Sequence, residues 1–234
     1  MRFAFISDIH GNEIALHSCL GACERLRVDS IHFLGDAVGY LPDDEAVLGC
    51  LDSVGIACQQ GNHEAMLLAD QPLDRKRDEL YRLSSARQRL ENTIHWMRMG
   101  NWPTRVDRNL DGRRFLLVHG SPSDELFGYV YEDSDLAPFS EVAAEVVVMG
   151  NTHRPWVRSA SGKLFVNTGS IGLPRDHGAL AAFAIFDSSS DHCHIVRVPL
   201  DVQEILRRYG QRIAPEVAQC FARKPNRFVG EVAQ

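Results

Sequence analysis

The sequence predicts a layered α/β protein, and three observations carry that prediction. Six short apolar runs each stop abruptly at polar residues. The first three are separated by stretches with helical apolar spacing, and two further places pair apolar runs around turn signals. Short runs rich in Val, Ile, Leu and Phe and bounded by Gly read as strands buried on both faces. Strands alternating with helices are the signature of layered α/β proteins.

Taken in order, Arg2 to Ile6 is the first strand and runs into Ser7-Asp8-Ile9-His10-Gly11-Asn12. Glu13 to Arg27 follows as a helix through Ile14, Leu16, Leu20 and Leu26. Ser30 to Leu34 is a strand ending in Gly35-Asp36, and Pro42-Asp43 opens a helix that runs to Val54. Gly55 to Gln60, a weaker strand, ends in Gly61-Asn62-His63-Glu64. Asp70 to Arg98 reads as one longer polar helical region, with Leu83, Ala86, Leu90, Ile94 and Met97 as its apolar stripe. Asp111-Gly112 is a hairpin turn signal feeding the strand Arg114 to Val118, which ends at His119-Gly120. Glu145 to Met149 runs into Gly150-Asn151-Thr152-His153, and Lys163 to Val166 into Asn167-Thr168-Gly169-Ser170. Leu180 to Phe186 and His192 to Val198 flank a polar turn as a second hairpin. Asp201 to Ile213 is a final helix that Pro215 stops, with a helical or loose tail to Gln234. The expected organisation is a domain over 1–200 with a C-terminal helical extension, 201–234, packed on it.

Composition narrows the function classes. The chain has 234 residues, 44% hydrophobic and 24% charged, with a formal net charge of −6. A collagen, a disordered tail and a small disulfide scaffold are excluded, and a strongly basic nucleic-acid binder is disfavoured. No segment approaches the roughly 18 apolar residues of a membrane span. The six cysteines form no C-x-x-C pair. They read as small buried residues of a reducing compartment, so a cytoplasmic location is expected.

The ten histidines are the unusual count, and four of them lie directly after strands. Sites in α/β sheets assemble at the carboxyl ends of strands, where loops converge. Asp8 and His10 are two apart, so an extended backbone points both the same way. Asp36 has two oxygens and can bridge two ions, while Asn62, His119 and His153 offer neutral donors. Carboxylate with imidazole and no thiolate suits a catalytic Mn, Fe, Zn, Co or Ni site. The remaining histidines read as structural or solvated: His17 and His95 on helices, His32 in a buried strand, and His192 and His194 on a strand face. His177, beside Arg175 and Asp176, is intermediate.

Asp8-x-His10, Gly35-Asp36-x-x-Gly39, Gly61-Asn62-His63-Glu64, Val118-His119-Gly120 and Gly150-x-Thr152-His153 occur in that order. Together they resemble the calcineurin-like metallophosphoesterase superfamily over residues 7–170. The blocks from Gly35 to Tyr40 and from Asn167 to Asp176 resemble a small bacterial and archaeal branch of phosphodiesterases and diadenosine-tetraphosphatase relatives. The resemblance implies a four-layer αββα sandwich, two mixed β-sheets flanked by helices. It implies two divalent ions, one among Asp8, His10, Asp36 and His153 and the other among Asp36, Asn62, His119 and Asn151. It places His63 beside the phosphate as acid or transition-state stabiliser, with Asn12 and Arg175 as phosphate contacts. Most relatives carry His where this chain has Asn151, and an amide is the poorer donor for a borderline metal, so the second site is expected to be weaker.

The implied activity is phosphoester hydrolysis through metal-activated water on a small or nucleotide phosphoester. A nuclease is disfavoured, because no basic, aromatic-interleaved stretch accompanies the site. The alternative is a weakly active or inactive binding or scaffold protein on the same fold. Oligomeric state is not readable from the sequence.

Overall fold

A computed structural model describes residues 1–69, 74–225 and 227–233. In chain order the elements are β1 (Arg2–Ile6), α1 (Glu13–Arg25), β2 (Ser30–Phe33), α2 (Asp44–Val54), β3 (Ala57–Cys58) and α3 (Asn62–Leu68). Three short helices follow, α4 (Arg75–Tyr81), α5 (Leu83–Leu90) and α6 (Ile94–Gly100). Then come β4 (Arg105–Leu110), β5 (Arg113–Val118), β6 (Val146–Met149), β7 (Trp156–Ala160), β8 (Lys163–Asn167), β9 (Leu180–Asp187) and β10 (His192–Pro199). The chain closes with α7 (Val202–Tyr209), α8 (Pro215–Cys220) and a short β11 (Glu231–Val232).

Two mixed sheets result. One has the order β11-β10-β9-β1-β2-β3 and the other β4-β5-β6-β8-β7. Their central pairs are parallel: β1 with β2 in the first, and β5 with β6 and β6 with β8 in the second. Strand alternation divides the core. Phe3 and Phe5 of β1 point between the sheets and meet Phe115, Leu117 and Val148, with the Phe5 and Phe115 rings 5.5 Å apart. Ala4 and Ile6 point the other way, into the helical layer that includes Leu16, Val47 and Leu90. The outer face of the second sheet, with Leu116, Val147 and Phe165, is covered by Val130, Leu136 and Phe139. Among the described residues the long connection over that face holds only a 3₁₀ turn, Ala137–Phe139. Trp156 Nε1 ties it down by donating to the Val130 carbonyl at 3.1 Å.

The expected fold class, two mixed β-sheets flanked by helices, is therefore what the chain adopts. Several elements differ from the expectation. The single helix over Asp70 to Arg98 is three, because Arg82 and Asn92 take left-handed backbones, φ 60° and 67°, which break the ladder. Its first residues, 70–73, lie outside those described. Pro215 opens α8 at its first turn, where proline's missing N–H costs nothing, instead of only stopping the helix before it. The tail is not wholly helical: β11 pairs parallel with β10 at the edge of the first sheet. Ile205, Tyr209, Val217 and Phe221 of this C-terminal segment belong to the same core as β1 and α1. Among the described residues no helix is long and apolar enough to cross a membrane.

Candidate metal centre

The loops after β1, β2, β3, β5 and β6 converge at one end of the two sheets and are laced together by backbone bonds. Asp8 N–H donates to the Gly35 carbonyl (3.0 Å), His10 to Asp36 (2.9 Å) and Gly150 to His119 (2.9 Å). Gly172 N–H closes the ring onto the Asp8 carbonyl at 3.0 Å. Close approach demands small residues at two of these turns. A Cβ on Gly61 would lie 2.2 Å from Asp36 Oδ1, and one on Gly150 would lie 2.3 Å from Ser7 Oγ.

Asp8, His10, Asp36, Asn151 and His153 all carry left-handed backbones, with φ between 52° and 65°. The sequence expectation of an extended Asp8-x-His10 pair is thus corrected. Their side chains do meet, but through two strained residues in place of a pleat. Each such residue costs on the order of 1–2 kcal/mol, and that strain persists because the lacing over-determines the loops.

Every imidazole in the cluster has its Nδ1 against a backbone carbonyl: His10 on Val38 (3.2 Å), His63 on Val38 (3.1 Å), His119 on Leu34 (3.0 Å) and His153 on Leu173 (2.6 Å). That bond keeps the proton on Nδ1 and turns Nε2 inward as a lone pair. The consequence is a convergence of acceptors. His10 Nε2 faces His153 Nε2 at 3.1 Å, and His153 Nε2 faces Asp8 Oδ1 at 3.1 Å. His119 Nε2 lies 3.0 Å from Asn62 Oδ1 and 3.4 Å from Asp36 Oδ2. Asp36 Oδ2 also sits 3.6 Å from His10 Nε2, which makes Asp36 the carboxylate common to both groups. Among the described residues, Asp8 Oδ1, which is buried, has no hydrogen-bond partner. Lone pairs and carboxylates facing one another call for a cation, and the donor set of carboxylate, imidazole and amide oxygen fits divalent metal.

The titration pattern agrees. Burial works against charge on His119, yet the Asp36 and Asp8 carboxylates raise its pKa to about 9, so in the metal-free protein Nε2 takes up a proton where a cation would otherwise draw on its lone pair. Burial would raise Asp8 and Asp36, but the surrounding imidazoles hold both carboxyls well below the usual range. His153 is pushed down to about 4 by burial and by the Arg175 cation.

Two residues without an assigned role in the sequence reading organise this centre. Glu64 is fully buried, and its carboxylate accepts from Gly61 N–H (2.8 Å), Asp36 N–H (2.7 Å), Ala37 N–H (2.8 Å) and Val38 N–H (3.3 Å). It shapes the loop that carries Asp36, and its place two residues after Asn62 was the available signal. Glu64→Gln puts an amide donor against those N–H groups. We expect a loss of about 2–3 kcal/mol, read as a lower denaturant midpoint with an unchanged m-value. Tyr40 stacks on His63 (ring centroids 5.0 Å, 23°), and its hydroxyl accepts from Arg175 Nη2 at 3.0 Å.

Asn12 caps α1 through its Oδ1 and donates Nδ2 to the Gly172 carbonyl at 2.7 Å, so both ends of its amide are engaged in the fold. Arg175 is partly buried and, among the described residues, its guanidinium has no carboxylate partner. Asn151 donates Nδ2 to the Gly128 carbonyl at 2.9 Å, and its backbone N–H bonds Asp8 Oδ2 at 3.2 Å. None of the six cysteines is paired.

The family model for the calcineurin-like phosphoesterase superfamily domain matches residues 1–191, and the chain belongs to that family. The family is one of metal-dependent phosphoester hydrolases, and this chain carries Asp and His clusters able to hold metal, Asp8–His10–His153 and Asp8–Asp36–His119 among them. Among solved structures it is similar to a metallophosphoesterase from Sphaerobacter thermophilus, 26% identical with a TM-score of 0.77, over 95% of this chain and 98% of that one. A hypothetical protein from Pyrococcus horikoshii OT3 shares the fold at a TM-score of 0.80 and 18% identity, over 99% of each chain. An uncharacterized protein of Methanocaldococcus jannaschii is 26% identical over 231 residues, 91% of this chain and 93% of that one.

Proposed function

We propose that the protein hydrolyses small or nucleotide phosphoesters at a dinuclear divalent-metal centre. The observation that carries this reading is the inward convergence of three Nε2 lone pairs with Asp8 and Asp36. Asp8, His10, Asp36 and His153 would hold one ion, and Asp36, Asn62, His119 and Asn151 the other; Mn, Fe, Zn, Co or Ni suits the donors. When bound, such ions supply Lewis acidity at the phosphate oxygens and acidify a water for in-line attack on phosphorus.

The chain's own residues do the rest. Leu173, Val38 and Leu34 carbonyls fix the ring orientations, which keeps the donors aimed before metal arrives. Arg175, tethered by Tyr40 and free of a carboxylate, is available to grip a phosphate oxygen. His63 keeps Nδ1 on the Val38 carbonyl, and among the described residues its Nε2 makes no hydrogen bond. Burial pushes the ring down to about 3. A bound phosphate oxyanion would raise it again, so that Nε2 takes up a proton from solvent, passes it to the leaving oxygen and ends neutral. Asn12, whose Nδ2 keeps a second N–H beyond its bond to the Gly172 carbonyl, remains available as a further phosphate contact. The reading includes a cytoplasmic location, supported by six cysteines of which none is paired.

Asn151 tunes the second site. With Nδ2 spent on Gly128, only its amide oxygen remains for metal. We expect chelation to remove the second equivalent much faster than the first, and Asn151→His to slow that loss at least tenfold, measured by metal analysis of dialysed protein. The test of the hydrolase reading is turnover of p-nitrophenyl and bis-p-nitrophenyl phosphate with and without divalent metal. No rate above background with any metal would leave the binding or scaffold alternative.

A further inference from the structure

An open groove of about 670 Å³ has walls from four distant parts of the chain, around Tyr131, Arg154, Asp176 and Phe228. That volume lies within the range of small-molecule sites. It is continuous with the centre through the backbone. Arg154 follows His153, Asp176 follows Arg175, and Arg175 N–H donates to the His153 carbonyl at 3.1 Å. On the other side, the Gly128 carbonyl that holds Asn151 leads directly into Tyr129 and Tyr131, whose rings stack 6.2 Å apart at 12°.

The aromatic walls are held in place yet exposed. Tyr131 is 40% exposed, and its segment is pinned by Trp156 Nε1 on the Val130 carbonyl and by Arg158 on the Glu132 and Ser134 carbonyls. Phe228, also 40% exposed, lies edge-on to His177 (5.5 Å) and under the Arg197 guanidinium (5.6 Å). Arg197 is itself fully buried and bonds Asp176 at 3.1 Å. Rings fixed before binding lose little entropy when a flat ligand stacks on them.

Charge decides which ligand fits. Glu132, Asp133 and Asp176 offset Arg154 and Arg227, so the groove offers no net positive field for a further phosphate. It offers aromatic faces with hydrogen-bond acceptors and donors around them, which is what a neutral nucleoside requires. Resting on the phosphoester-hydrolase reading, we infer that this groove binds the nucleoside of the substrate while the phosphate sits at the metal centre. The enzyme is then a nucleotide phosphoesterase, with Tyr131 and Phe228 as its base-recognition residues.

The test is saturation-transfer NMR on the full-length protein with adenosine and with ribose as separate probes. Neither carries phosphate, so the readout is independent of hydrolysis. Saturation should reach the base protons of adenosine, and ribose should show none. Tyr131→Ala and Phe228→Ala should each cut the adenosine signal at least fivefold, and Tyr131→Phe should retain it. Both side chains are substantially exposed, so these truncations leave the fold in place. On the metal-loaded enzyme, KM for adenosine monophosphate should be at least tenfold below that for ribose 5-phosphate. Absence of transfer to adenosine, full transfer in both alanine variants, or equal KM values would overturn the inference. Adenosine bound as described by a protein that hydrolyses no phosphoester would uphold the groove and overturn the hydrolase reading instead.

Discussion

Asp36→Ala is expected to abolish phosphoester turnover and release the metal. Asp36 is the carboxylate common to both halves of the centre, with Oδ2 at 3.6 Å from His10 Nε2 and 3.4 Å from His119 Nε2. Its other oxygen accepts the His63 N–H at 2.8 Å, so the same side chain also anchors the first turn of α3. Without it, one group of donors is left with amide oxygens and imidazole and no negative charge, and a divalent ion has nothing to neutralise. The expected fall in kcat is at least about a thousandfold, the scale of losing a principal electrostatic stabiliser. His119 should also lose the charge that holds its pKa near 9 and titrate lower by NMR. Metal analysis of the purified variant checks the claim directly, and two equivalents retained through chelation would contradict it.

His63→Ala gives the second large effect by a different route. Its ring packs against Tyr40, Tyr81 and His10, with centroids 5.0, 4.9 and 4.6 Å away, but no metal-holding role is assigned to it. Removing a positioned proton donor costs roughly 10²–10⁴ in rate. The loss should be largest for alkyl phosphoesters, whose leaving oxygen needs the proton, and smaller for p-nitrophenyl esters, whose leaving group does not. Metal content should be unchanged. Undiminished turnover of an alkyl phosphoester by this variant would remove His63 from the acid role.

Much of this centre was legible in the sequence, because strands buried on both faces read as apolar runs and the polar residue after each run marks a strand end. Asp8, Asp36, His119 and His153 stand out for that reason. What escaped did so for identifiable causes. The strand β7 reads Trp-Val-Arg-Ser-Ala, too mixed to register as a run. The helix α3 begins at Asn62 itself, so its polar first turn reads as loop. Glu64 is a buried carboxylate serving four backbone donors; its place in the Gly61-Asn62-His63-Glu64 block was a signal, but its burial and its donors are set by the fold. Both engagements of Asn12 and the freedom of Arg175 depend on who the neighbours are, which spacing does not encode. The groove joins residues 131, 154 and 228, and only folding brings them together.

The acceptors converging on Asp8 and Asp36 are expected to hold the metal that supports phosphoester hydrolysis. Turnover of bis-p-nitrophenyl phosphate by chelator-treated protein, before and after adding Mn²⁺, tests it most directly. We predict no rate above background in the chelated protein and recovery of turnover with Mn²⁺, saturating at two equivalents of bound ion. Turnover that survives complete removal of metal, or none with any divalent ion added, would contradict it.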